Sequence, residues 1–140
     1  MLSGALFCLV VGISDGDTLT ARCGQPGAYE QIKVRLAEID APEKRQPFGQ
    51  RSRQHLADLC FEKQAEIRPT ARDRYGRTVA RVTCAGQDVN AAQVRDGMAW
   101  AYTKYLTDAG IAKLEQGARA AHRGLWADKE PVAPWEWRRR

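Results

Sequence analysis

The stretch Leu6-Phe7-Cys8-Leu9-Val10-Val11-Gly12-Ile13-Ser14-Asp15-Gly16-Asp17-Thr18-Leu19-Thr20-Ala21-Arg22-Cys23 reads as a β-hairpin. Its first half is apolar and β-branched, its second half alternates, and Asp15-Gly16 between them is a turn dipeptide, with Gly16 expected to supply a positive φ. Gln31 to Ile39 alternates again with Ile32, Val34, Leu36 and Ile39 inward, and Gly24 to Tyr29 carries the Gly, Pro and Gly of a second turn. Three consecutive antiparallel strands follow.

Pro42 pushes Ala41 toward extended geometry and ends the third strand, and the basic loop Lys44 to Gln50 comes next. From Arg51 to Phe61 the apolar period becomes helical; Ala65 to Arg68 and Val79 to Cys84 are short strands. Asp88 to Asp96 reads as a helix closed by Gly97, and Thr107 to Arg123 as a longer one closed by Gly124. Five strands and three helices in this order suit an α+β, mainly β fold: a five-stranded Greek-key barrel of the OB type with helices packed around it. With 140 residues, positions 1–140 are expected to form one domain. In the basic tail at 131–140, Trp135 and Trp137 are expected to pack back on the barrel and Arg138 to Arg140 to touch phosphate; the bland alternative is a frayed end.

A net charge of +5 and a pI near 9.2 suit a polyanionic partner such as nucleic acid. The longest apolar stretch, Ala5 to Ile13, falls well short of the roughly 20 residues a membrane helix needs. As a signal peptide, Met1 to Ile13 lacks a cationic start, and cleavage near its end would remove the strand leading into Asp15. It is read as the first strand, with a leader absent or already removed.

Three motifs carry the chemistry: Asp15-Gly16-Asp17-Thr18, Val34-Arg35-Leu36-Ala37-Glu38-Ile39-Asp40-Ala41-Pro42-Glu43, and Asp73-Arg74-Tyr75-Gly76-Arg77. Hydrolysing a phosphodiester takes a positioned water, a base for its proton and positive charge around phosphorus. Asp17 and Asp40, at the ends of neighbouring strands, are hard oxygen donors for one divalent cation, and Glu43 is a base for water. Arg35 and Arg77 bring planar, permanently charged forks for phosphate. Isolated acids usually cap turns and an isolated arginine usually makes a surface ion pair; the grouping argues otherwise. Asp15 and Thr18 belong in a supporting shell around Asp17, and Asn90 in a structural role, capping its helix or tying it to a loop. His55 and His122 fall in expected helices without other ligand types nearby, which argues against a histidine-metal site.

In this order and spacing, together with Val89-Asn90-x-x-x-Val94-x-x-Gly97, the motifs resemble the staphylococcal nuclease (thermonuclease) family from about Leu6 to Trp126. The resemblance implies calcium held by Asp17, Asp40 and the backbone carbonyl of Ala41, with Glu43 as general base or water-orienting group. It places Arg35 and Arg77 on the scissile phosphate, Arg74 and Tyr75 near a neighbouring phosphate, and Tyr102 beside a nucleotide base. The implied activity is calcium-dependent endonucleolytic cleavage of DNA and RNA with little sequence preference, leaving 3′-phosphate ends. The loop after Glu43 is shorter than in the best-known member, so any lid there is reduced. A non-catalytic OB-type binding module is the rival; it would be expected to have lost one or more of Asp17, Arg35, Asp40, Glu43 and Arg77, and all five are present. A structural calcium-binding domain would leave Arg35, Glu43 and Arg77 without a reason to converge.

Cys8, Cys23, Cys60 and Cys84 contain no Cys-x-x-Cys pair, which argues against zinc. Four cysteines allow three pairings. The inferred fold favours Cys8 with Cys23 across the first hairpin and Cys60 with Cys84, the first worth about 3 kcal/mol by loop closure; four buried reduced thiols are the alternative. Disulfides and the family habit point to the periplasm or the medium, and a monomer that touches no membrane is expected.

Overall fold

The computed structural model describes residues 4–140. Strand β1 (Leu6–Asp15) pairs antiparallel with β2 (Thr18–Cys23), and β2 with β3 (Glu30–Leu36). On its other edge β1 pairs with β5 (Gln64–Arg72), which pairs with β6 (Thr78–Cys84). A parallel pairing of β3 with β6, Arg35 opposite Val79, closes the five strands into a mixed barrel. The α+β, OB-type barrel expected from the sequence is the observed fold.

Alternation explains the core. Val10, Leu19, Ala21, Val34, Leu36, Ile67, Ala80 and Val82 are buried; a fully buried Leu, Ile or Val side chain contributes about 1.5–3 kcal/mol. Irregularities in the β1–β2 register between Val10 and Gly12 and between Ile13 and Asp15 bend the strand as a closing barrel requires. Helix α1 (Gly49–Cys60) adds Leu56, α2 (Val89–Arg95) adds Val89 and Val94, and α3 (Ala109–Ala120) adds Ile111. Asp88 and Asp108 cap α2 and α3, accepting from Ala91 N and Gly110 N.

Cys8 and Cys23 are cross-strand partners and form one disulfide; Cys60 and Cys84 form the other. This is the expected pairing, and it leaves no free thiol.

Three details depart from the sequence reading. The third strand stops at Leu36, because Glu38 takes a left-handed φ of 75° and turns the chain; Ile39–Asp40 (β4) then pairs with Trp100–Ala101 (β8). Gln87–Asp88 (β7) adds a short pairing to β6. Gly16 is not at a positive φ. Its glycine is needed for room, since a Cβ there would lie 1.8 Å from Ser52 Oγ. The tail turns back on the molecule through a 3₁₀ turn (Gly124–Ala127) and a four-residue helix α4 (Pro134–Trp137).

Candidate active site

Each motif reaches one cleft by a local rule. Thr18 opposes Arg35 across β2 and β3, so Asp17, one residue before Thr18, comes beside the Arg35 side chain. Asp40 arrives through the Glu38 turn and the pairing of β4 with β8. The Asp73–Arg77 loop joins β5 to β6 at the same end of the barrel, where β6 lies against β3. The cleft encloses about 830 Å³ and is lined by Asp15, Asp17, Arg35, Asp40, Glu43 and Arg77, with Arg74, Tyr75 and Tyr102 on its walls.

Arg35 is held rigidly. Nη1 donates to the carbonyls of Leu36 at 2.8 Å and Ile39 at 2.9 Å, while Nη2 donates to Asp40 Oδ1 at 3.1 Å and lies 3.4 Å from Asp17 Oδ2. One guanidinium thus joins two buried carboxylates. Asp17 Oδ2 also accepts from Ala41 N at 2.7 Å, and Asp17 Oδ1 from Thr18 Oγ1 at 3.0 Å. Asp15 Oδ1 accepts from Asp17 N at 3.1 Å and so braces the turn.

The acids are crowded. Burial, then the charge of Asp17, pushes the Asp15 carboxyl up to about 7. Burial, with a contribution from Asp17, pushes Asp40 up to about 6 against the opposing pull of Arg138 and Arg35. Burial would raise Asp17 as well, but Arg35 and three hydrogen bonds outweigh it and hold its carboxyl below the ordinary range. A divalent cation would relieve this crowding. The side-chain donors of the cleft are carboxylates, the chemistry a hard ion takes, but among the described residues no three acidic, histidine or cysteine side chains are grouped closely enough to hold a metal ion by themselves.

Arg77 is aimed by Asp73. Asp73 Oδ1 accepts from the N–H groups of Tyr75 at 2.9 Å and Arg77 at 3.0 Å, and Oδ2 accepts from Arg77 Nε at 2.7 Å. Among the described residues no hydrogen bond is made by Arg77 Nη1 or Nη2, so both are available to an anion. Arg74 donates to Tyr75 Oη at 2.8 Å on the exposed rim. Tyr102 stacks on Trp135, ring centres 5.4 Å apart and planes 4° apart, with Tyr105 edge-on at 5.0 Å. One face of the ring expected to meet a base is therefore already covered by the tail.

Several supporting residues escaped the sequence reading. Gln93, fully buried on α2, donates from Nε2 to Gly16 O at 2.7 Å and to Ser52 O at 3.2 Å, and so pins the turn that carries Asp17. His55 joins Gln93 to Asp96. Glu38 lies within the acidic motif, yet its carboxylate accepts from Thr107 N at 2.8 Å, Thr107 Oγ1 at 2.9 Å and Asp108 N at 2.7 Å, holding the loop that bears Tyr102 and Tyr105. Asn90, by contrast, has the structural role expected of it, and of the two alternatives it ties rather than caps: Oδ1 accepts from Val82 N, and Nδ2 donates to the carbonyls of Ala37 and Ala80. Among the signals, only the buried-helix position of Gln93 could have raised suspicion.

A closed small barrel with a cleft that sets buried carboxylates beside two arginines has the side-chain chemistry that acting on a phosphodiester requires. The chain belongs to the staphylococcal nuclease homologue family, whose model matches residues 33–128. It is 49% identical over 132 residues to a Haemophilus influenzae protein described as an uncharacterized endonuclease, covering 94% of this chain and 72% of that one. It is 44% identical to a micrococcal nuclease of Shigella flexneri, covering 93% and 79%. A staphylococcal-like nuclease of Arabidopsis thaliana is 36% identical over 79% of this chain and 34% of its own length. The protein is a nuclease, a hydrolase of nucleic-acid phosphodiesters.

Proposed function

We propose that the protein is a calcium-dependent endonuclease that hydrolyses DNA and RNA with little sequence preference and leaves 3′-phosphate ends. The observation that carries this reading is the grouping of Asp17, Asp40, Arg35, Glu43 and Arg77 on one cleft. Asp17, Asp40 and the Ala41 carbonyl would hold the cation. When bound, it would supply positive charge to a phosphate oxygen and help place the attacking water.

Glu43 takes the proton of that water, or orients it; a base of this kind is worth about 10² to 10⁴ in rate. Arg35 and Arg77 grip the scissile phosphate from two sides and offset the charge that builds up in the transition state. Arg77 can do so because Asp73 occupies only its Nε, whereas Arg35, whose Nη groups hold two carbonyls and Asp40, has its Nε left for the phosphate among the described residues. Arg74, Tyr75 and Tyr102 bind the flanking nucleotides; contacts to backbone and ring faces, rather than to base edges, give little sequence preference. Two disulfides suit work in an oxidising compartment, the periplasm or the medium. Among the described residues no helix is long and apolar enough to cross a membrane.

The test is nicking of closed-circular DNA across a calcium titration, with the protein and its Asp40→Asn variant. Cutting that requires calcium and is lost, or shifts to far higher calcium, in the variant is expected. Cutting that persists in chelator would overturn the calcium assignment.

A further inference from the structure

The family match ends at residue 128, but the cleft contains a side chain from beyond it. Arg138, just after α4, donates from Nη2 to Asp40 Oδ2 at 2.7 Å and from Nη1 to Asp40 Oδ1 at 3.2 Å. The same Nη1 donates to Glu43 Oε1 at 2.7 Å, and Nη2 lies 3.4 Å from Tyr102 Oη. One guanidinium bridges the two carboxylates. Among the described residues it is the sole hydrogen-bond partner of the Glu43 carboxylate.

The tail is built to deliver it. Trp135 lies flat on Tyr102 and edge-on to Trp100, ring centres 5.6 Å apart, while Ala133 and Pro134 are buried. Gln46 sits in the short loop after Glu43; its Oε1 accepts from Glu43 N at 3.1 Å and its Nε2 donates to Val132 O at 2.6 Å. The loop that carries Glu43 and the segment that carries Arg138 are therefore tied together twice. Arg139 has no such setting: it is exposed, and among the described residues its guanidinium meets only Glu136, at 3.7 Å. The three terminal arginines expected to act alike on phosphate thus differ, and the first of them meets carboxylates.

We propose that Arg138 is a positioning residue for the hydrolysis. It holds the Glu43 carboxylate beside Asp40 so that Glu43 meets the attacking water in one orientation, and the segment 131–138 completes the active site. Glu43 is half-exposed on a loop, and without a partner its side chain would sample several rotamers. A planar fork can span two carboxylates at fixed separation, whereas an ammonium is a point charge. The inference rests on the endonuclease reading.

Arg138→Ala, Arg138→Lys and Arg139→Ala test it, with kcat and KM measured on a fluorogenic single-stranded oligonucleotide, calcium affinity by calorimetry, and thermal midpoints. Arg138→Ala is expected to lose about 30- to 100-fold in kcat, the usual cost of a misplaced catalytic group. Its KM should change less than about threefold, and its calcium affinity should stay equal or tighten because a cation has left Asp40. Millimolar guanidinium should restore part of the rate, Arg138→Lys should keep part of it, and Arg139→Ala should match the parent. Parental or higher kcat in Arg138→Ala would overturn the proposal, the higher value marking an inhibitory latch. So would an equal loss in Arg139→Ala, which would show bulk charge, or a thermal midpoint and calcium affinity that both fall with kcat, which would show support of the fold alone. A parent enzyme that cuts nothing would fail at the earlier step, the endonuclease reading itself.

Discussion

Replacing Gly16 by Ala should destabilise the protein through one contact. The new Cβ would fall 1.8 Å from Ser52 Oγ, 2.8 Å from Ser52 Cβ and 3.0 Å from Ala41 Cβ. Ser52 cannot swing aside cheaply: it is fully buried, and its hydroxyl donates to Met98 O at 2.7 Å. Overpacking of this kind costs about 1–3 kcal/mol, and a buried hydrogen bond broken to relieve it adds about 1 kcal/mol or more. A total of about 2–4 kcal/mol follows, a drop in thermal midpoint on the order of 5–12 °C for a domain of this size. Urea unfolding followed by tryptophan fluorescence would read it as a lower midpoint at constant slope. Pairing the change with Ser52→Gly should recover at least about 1 kcal/mol beyond additivity, because the second change removes both atoms in closest conflict. A Gly16→Ala variant within about 0.5 kcal/mol of the parent, or a strictly additive pair, would refute the close-approach explanation and return the glycine to a conformational role.

Asn90→Ala leaves Val82 N and two buried carbonyls without their side-chain partner, and should cost about 2–4 kcal/mol in urea titrations while leaving kcat of the folded fraction within a fewfold. Reduction of the two disulfides opens loops with sequence separations of 15 and 24 residues and should lower stability by about 3 kcal/mol each; an unchanged midpoint in reductant would contradict it. In chelator, pH should act in an unusual direction. Folded Asp15, at about 7, and Asp40, at about 6, bind protons where unfolded carboxyls, at 3.8, do not. Stability of the metal-free protein therefore falls as pH rises from about 4 to about 7, and Asp15→Asn should flatten that fall and raise stability at pH 8 by at least about 1 kcal/mol. Equal urea midpoints at pH 5 and pH 8 would refute it.

The barrel was legible because its strands are half-buried: alternation in Thr18 to Cys23 and Gln31 to Leu36 records directly which side chains face the core. Motif order brought Asp17, Arg35, Asp40, Glu43 and Arg77 to one place for the same reason, since each sits at a strand end or in a loop at one end of the barrel. What was hidden depended on distance in the chain. Nothing local marks Gly16 as lying against Ser52, or Gln93 as reaching the Gly16 carbonyl across 77 positions. The turn at Glu38 was missed because a glutamate at φ 75° carries no turn signature; its geometry is held by contacts with Thr107 and Asp108. In the tail Trp135 packs back on Trp100 and Tyr102 while Trp137 meets Arg140, and which arginine enters the cleft depends on the α4 turn and the Trp135–Tyr102 stack.

The most direct measurement compares the protein with its Glu43→Gln variant on closed-circular DNA in calcium, alongside calcium binding by calorimetry. Cutting by the parent, a loss of about a hundredfold or more in the variant and nearly equal calcium affinity in both are predicted. A variant that cuts at the parental rate, or a parent that binds DNA and cuts nothing under any divalent ion, would contradict Glu43 as the group that delivers water to phosphorus.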